Sequence, residues 1–169
     1  MKIRITLILL LLPLLICAQS KKTKRKVKAK KHAIEQYFTS YSLKPDLAAT
    51  PYLYYQIYDW IGTNYKYAGC TKNGIDCSGF VNEIYTNVYC INLPGGSSDI
   101  WKQVNPIDKN DLQEGDIVFF KIRKGTISHV GIFLGNNKFA HASVKTGVVI
   151  NDLDETYYKK YFYKGGRIP

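Results

Sequence analysis

The order of patterned segments predicts an α+β protein, with N-terminal helices packed on an antiparallel meander sheet of about five strands. Helical periodicity comes first, after Thr50 and again after Asp76. Strand-like runs follow, from Ile117 onward. Short clusters of turn formers separate those runs, and short connections join antiparallel neighbours. A chain of 169 residues suits one compact domain of this kind.

Thr50-Pro51 opens the first helix, with Thr as N-cap and Pro at the first helical position. Leu53, Ile57, Trp60 and Ile61 follow at helical spacing, and Gly62 ends the helix. The second helix starts at Cys77 behind Asp76, a good N-cap. It carries Phe80, Val81, Ile84, Tyr85 and Val88 on one face, to about Tyr89. Between the helices lies the loop Tyr65 to Asp76, where Gly69 and Gly74 let the backbone turn close to a substrate. Leu93-Pro94-Gly95-Gly96-Ser97-Ser98 is a second loop, with Trp101 just behind it, and Leu112 to Asp116 is a turn. Strands are expected over Ile117–Ile122, Ile127–Leu134, Lys138–Ala142 and Val148–Asn151, with a last one inside Tyr161–Ile168. Lys124-Gly125, Gly135-Asn136-Asn137 and Thr146-Gly147 supply the turns.

The net charge of +11 is unevenly placed. Ten of the 24 Lys/Arg precede His32 and no acidic residue does, which leaves 14 basic and 13 acidic residues in the remainder. The folded body is therefore nearly neutral, and a nucleic-acid groove has little support. Residues 1–18 read as a secretory signal: Lys2 and Arg4, then an apolar run from Ile5 to Ile16 that falls short of the about 20 residues a spanning helix needs. Cleavage after Ala18 is one outcome. Acylation of Cys17, which follows Ile16 rather than a small residue, is the other. The protein is thus expected to be exported, periplasmic or secreted, or a membrane-anchored lipoprotein through Cys17. Residues 19–45 form a basic linker with eight Lys/Arg between Lys21 and Lys31, expected to be disordered by self-repulsion. It is either a solvated tether or an electrostatic contact for membrane or anionic wall polymers. Residues 46–169 form the folded domain.

Cys77 in the first turn of a helix meets unpaired N–H groups and the helix dipole, which favour a thiolate and lower its pKa. The same N–H groups can hold an oxyanion. A structural cysteine or half of a disulfide would occupy such a position equally well. Cys70–Cys90 would leave Cys77 free. However, Cys90 lies roughly 20 Å along the helix at about 1.5 Å per residue, whereas a bridge needs Cα atoms within about 7 Å. Cys70–Cys77 would block the thiol. No Cys-x-x-Cys pair supports a metal site. His129 and His141 lie symmetrically about Gly135, so a hairpin brings the imidazoles within reach of each other. With Cys77 they form the set needed for thiol catalysis: a nucleophile, a base and a polar residue that orients the base.

Asp76-Cys77-Ser78-Gly79-Phe80, Leu112-Gln113-Glu114-Gly115-Asp116-Ile117-Val118-Phe119-Phe120, His129-Val130-Gly131-Ile132 and Phe139-Ala140-His141-Ala142-Ser143 resemble the NlpC/P60 family of papain-like cell-wall cysteine peptidases. The layout is closest to the murein endopeptidase lipoproteins of Gram-negative bacteria, the MepS/Spr type. The resemblance covers roughly Pro51 to Pro169. It implies the papain-like NlpC/P60 fold, with Cys77 as nucleophile, His129 as base and His141 as orienting residue. It also implies Tyr65 near the oxyanion, and Asp76 and Ser78 on the substrate side. The implied substrate is the stem or cross-link peptide of peptidoglycan, cut through an acyl-enzyme with no cofactor. An amidase or acyltransferase on the same scaffold, or a non-catalytic wall-binding module, are the rival readings. This chain departs from the family at Ala68-Gly69-Cys70. It also lacks an arginine after Leu93-Pro94, where Gly95-Gly96-Ser97-Ser98 stands instead.

Overall fold

The structure, a computed structural model, describes residues 23–45, 51–123 and 125–169. The signal over 1–18 with Cys17, the N-cap at Thr50 and the turn residue Lys124 lie outside the described residues. The chain divides into two compact units, one ending at Tyr37 and one covering Phe38–Pro169.

Residues 23–39 form a helix, α1, where the charge run predicts disorder. Lys, Arg and Ala are good helix formers. Ile34 and Phe38, four residues apart, are buried, and Lys31 and Glu35 pair along the surface at 3.8 Å.

The second unit contains α2 (Pro51–Trp60), a two-stranded hairpin of β1 (Cys70–Thr71) and β2 (Gly74–Ile75), then α3 (Cys77–Tyr89) and α4 (Ser97–Trp101). The strands β3 (Asn105–Ile107), β4 (Ile117–Phe120), β5 (His129–Gly135), β6 (Lys138–Ser143) and β7 (Gly147–Asp152) follow, then α5 (Thr156–Tyr161) and β8 (Phe162–Arg167). Both expected long helices form. Leu53, Ile57 and Trp60 of α2, and Phe80, Val81, Ile84 and Tyr85 of α3, are buried as their spacing predicts; Tyr54 is buried as well, while Ile61 and Val88 are half-buried.

The sheet has six antiparallel strands in the order β3-β8-β4-β5-β6-β7. Only β4 to β7 form the expected meander. From the β7 edge, α5 carries the chain back so that β8 pairs between β3 and β4. The sixth strand, β3, contains Pro106 and lies at the sheet edge, where a missing N–H is tolerated. Every residue of β4 is buried, so this strand is covered on both faces. On one of them Val118, Phe120, Phe133 and Phe139 cluster with Leu153 and with Tyr158 of α5. Arg167 of β8 donates from Nε and Nη2 to the two carboxylate oxygens of Asp116, each at 2.7 Å, and so ties β8 to the turn before β4.

Candidate active site

One side of the site is built within a short stretch of chain. After α2 the backbone bridges Tyr65 to Ile75, and the loop folds on itself. A Cβ at Gly69 would lie 2.4 Å from the Gly74 carbonyl oxygen, and one at Gly74 would lie 2.5 Å from the Lys66 Cβ. These glycines therefore let the loop close upon itself, and Gly69 also lines the cleft described below. Asp76 caps α3 as predicted: its Oδ1 accepts from the Gly79 N–H at 2.7 Å and from the Ser78 hydroxyl at 2.9 Å. Its Oδ2 accepts from the Ala68 N–H at 2.9 Å. A single carboxylate thus fastens the loop to the helix start.

Cys77 is the first residue of α3 and is buried. Burial pushes its thiol up to about 11, and the Asp76 carboxylate adds to this. The N–H groups of Val130, Ser78 and Cys77 itself pull the other way but are outweighed. The helix-start donors expected from the sequence are present. The lowered pKa expected with them is not, because desolvation and the capping carboxylate both favour the neutral thiol. A base is therefore needed to remove the proton.

The other side comes from the sheet. His129 opens β5 and His141 lies in β6. The register pairs Ile132 with Ala140 and Phe133 with Phe139, with a bulge toward Gly135. Continued, it sets Gly131 rather than His129 across from His141, so the histidines meet diagonally and not as the direct partners predicted. A Cβ at Gly131 would fall 3.0 Å from the His141 Cβ and 2.7 Å from the Ala140 carbonyl oxygen. Only glycine leaves the space His141 occupies.

His129 Nε2 and His141 Nδ1 are 2.7 Å apart and share one proton, with ring planes at 87°. His141 Nε2 lies 2.9 Å from Asn151 Oδ1 and 3.1 Å from the Tyr158 hydroxyl. Phe139 stacks on His141, and Phe120 flanks His129. Burial holds His129 well below its ordinary range, and the neighbouring His141 adds to this. Burial also pushes His141 down to about 4, although its bond to Asn151 and the charge of Glu155 pull upward. Both imidazoles are neutral at neutral pH and able to accept a proton.

Tyr65, Asp76, Ser78, Cys77, His129 and His141 all line one cleft of about 960 Å³. The Tyr65 hydroxyl is held above its ordinary range by partial burial and by Cys77 and Asp76, against the pull of Arg123, so it stays a donor. Gly95, Gly96 and Ser97 line the same cleft without an arginine, but Arg123 from the β4–β5 connection does line it. Cys70 is exposed along the cleft, and Cys90 is exposed at the end of α3 in a left-handed conformation (φ 58°). All three described cysteines are free thiols.

Sequence reasoning missed Asn151, Glu155 and Tyr158. A signal for Asn151 was present in the β6–β7 hairpin. There β6–β7 register sets Val149 opposite His141, so Asn151 is a diagonal neighbour on the same face. Glu155 and Tyr158 arrive with α5, whose path over the sheet leaves no local mark.

Residues 62–167 match the model of the NlpC/P60 family. Over 110 residues the chain is 42% identical to the probable endopeptidase NlpC homolog of Haemophilus influenzae, which covers 65% of this chain and 58% of that protein. Over 113 residues it is 38% identical to the murein DD-endopeptidase MepS/murein LD-carboxypeptidase of Escherichia coli, covering 67% of this chain and 60% of that one. The chain therefore spans less than two thirds of the length of these relatives. A crystal structure of an NlpC/P60 family protein from Bacillus cereus superposes with a TM-score of 0.66 at 30% identity, covering 72% of this chain and 41% of that one.

Proposed function

Because the chain belongs to the NlpC/P60 family, we propose that it is a cysteine endopeptidase hydrolysing amide bonds in the stem or cross-link peptides of peptidoglycan. The observation that carries this reading is a buried thiol at a helix start in one cleft with two neutral, mutually bonded histidines. His129 takes the Cys77 proton, and the sulfur attacks the amide carbonyl. The tetrahedral oxyanion is held by the Cys77 backbone N–H and the Tyr65 hydroxyl. His129 then protonates the leaving amine, and water releases the acyl group from sulfur. His141 orients His129, while Asp76 and Ser78 form the wall beside the nucleophile. The relatives named as murein endopeptidases support the substrate class. Arg123 and Lys145 along the cleft suit the carboxylates of stem peptides.

The same reading places the protein outside the cytoplasm, exported by residues 1–18 and either released after Ala18 or anchored through Cys17. The basic residues of α1, exposed over 23–32, would hold it electrostatically to membrane or anionic wall polymer. Digestion of defined muropeptides followed by mass spectrometry tests the proposal. Cys77→Ala is expected to lose at least about a thousandfold in rate. Cleavage that survives in the variant overturns the mechanism.

A further inference from the structure

A chain of hydrogen bonds links the two histidines through Asn151 to the carboxylate of Glu155. Asn151 Nδ2 lies 3.0 and 3.1 Å from the two carboxylate oxygens of Glu155, the N-cap residue of α5. A carboxylate only accepts, so the amide must present its NH₂ to Glu155 and its oxygen to His141. The Asp152 N–H also donates to Glu155 Oε1, at 2.9 Å, and so holds that carboxylate in place.

The rest follows link by link. Asn151 Oδ1 accepts, so His141 Nε2, 2.9 Å away, must donate. The Tyr158 hydroxyl lies 3.1 Å from this nitrogen and 3.4 Å from Asn151 Oδ1, so it can donate to that oxygen while accepting from His141. A neutral His141 protonated on Nε2 has a bare Nδ1. That bare nitrogen accepts from His129 Nε2 at 2.7 Å. His129 then carries its proton on Nε2, and its Nδ1 is left as a lone pair.

We propose that Asn151, held by Glu155, is a positioning residue that selects the Nε2–H tautomer of both histidines and so keeps His129 Nδ1 free to receive the Cys77 proton. In that transfer the S–H bond breaks and an N–H bond forms at Nδ1. His129 becomes an imidazolium whose Nε2–H points at the lone pair of His141. No proton need move further along the chain. Without the amide oxygen, His141 can place its proton on Nδ1. His129 must then accept at Nε2 and carry its own proton on Nδ1, where it cannot act as base. The other titratable and charged groups around the pair, among the described residues, are Cys77 from α3, Tyr157 and Tyr158 from α5, and Tyr65, Tyr67, Cys70, Asp76, Arg123 and Lys145 along the cleft. None of these bonds a histidine nitrogen except Tyr158, whose hydroxyl can adopt either role and therefore follows the amide.

The last step rests on the proposed peptidase reading, whereas the tautomers do not, and the experiment separates them. Histidine labelled with ¹⁵N in the intact chain at pH 7.5 is expected to show both rings protonated on Nε2 by long-range proton–nitrogen correlation. Asn151→Leu is expected to convert His141 to a mixture of forms. It should also lower kcat on muropeptides about a hundredfold with KM nearly unchanged, since the wrong tautomer disables the base without touching substrate. Glu155→Gln, at an exposed position, keeps an acceptor but loses the charge. It should give a smaller, roughly tenfold loss and move the acid limb of kcat/KM to lower pH, because the imidazolium loses a stabilising charge. Either histidine protonated on Nδ1 in the wild type overturns the proposal, as do ring shifts that Asn151→Leu leaves unchanged. If that variant does not fold, an unchanged pH profile in Glu155→Gln is the overturning result. A wild type with the expected tautomers that cleaves no muropeptide refutes the function while leaving the relay standing.

Discussion

The wall of the cleft that carries Cys77 and the wall that carries the histidines differ in how far along the chain their contacts reach. On the thiol side, Asp76 bonds to Ala68, Ser78 and Gly79, all within eight residues. On the histidine side, each link crosses a strand or a helix: His129 to His141, His141 to Asn151, His141 to Tyr158. The two also handle charge differently. The thiol wall sets a carboxylate beside a buried sulfur and so raises its pKa. The histidine wall keeps its carboxylate one amide away from the nearest ring, where it steers protons and leaves the bases neutral. A local wall can be built to place a nucleophile, whereas setting the tautomer of a base requires the assembled sheet.

The contrast can be broken at several points, beginning with the most severe. Gly131→Ala pushes a methyl group into the His141 Cβ and the Ala140 carbonyl. It should cost about 1–3 kcal/mol of stability and lower kcat about a hundredfold through displaced histidines. Denaturant titration and muropeptide turnover read the two effects. Second, acid should weaken the histidine wall selectively. His129 and His141 both titrate below their ordinary range in the fold, so the unfolded chain takes up protons first. The stability contributed by His141 is complete above about 6.5 and is lost as pH falls to its folded value of about 4. His141 alone should account for about 3 kcal/mol between those limits. Urea unfolding at stepped pH measures this, and His141→Gln should flatten the slope between pH 6.5 and 5.

Third, Asp76→Ala breaks the thiol wall, removing the helix cap and the tie to Ala68, at a cost of about 2 kcal/mol. Asp76→Asn sharpens the comparison, because it removes the charge that adds to burial in raising the Cys77 pKa. Iodoacetamide labelling of Cys77, followed by peptide mass spectrometry to separate it from Cys70 and Cys90, should be faster than wild type at neutral pH. In the wild type the same rate should keep climbing toward about 11. A plateau below pH 7 would mean that a thiolate–imidazolium pair already exists at rest. Fourth, Tyr158→Phe removes one hydroxyl from the His141 neighbourhood and should cost about 1 kcal/mol, with a small change in rate.

The same difference in reach explains what could be read from the sequence. Asp76, Cys77 and the apolar face of α3 follow local rules of capping and periodicity, and they form as expected. Gly135-Asn136-Asn137 marks a tight turn, with both asparagines at positive φ (47° and 59°), and that was enough to bring His129 and His141 together. It was not enough to give the diagonal register, which depends on a bulge near Gly135. The thiol's raised pKa was hidden because burial is a property of the assembled cleft, whereas the helix-start donors are visible in the chain. In α1 a charge run that predicts repulsion is helical, because its residues are strong helix formers. The return of β8 to the side of β4 depends on α5, and nothing in the spacing of short strands distinguishes that from a fifth strand added at the edge.

That return has a consequence for timing. A chain made from its N-terminus presents the thiol helix and both histidine strands well before residues 162–167 exist. Yet β4, whose Phe120 packs against His129, is bordered on one side only by those late residues. Sequence-distant pairing of this kind is slow to form. Until β8 slots in beside β4, the strand paired with that of His129 is an open sheet edge, so the sheet behind the site is complete only once residues 162–167 have been made.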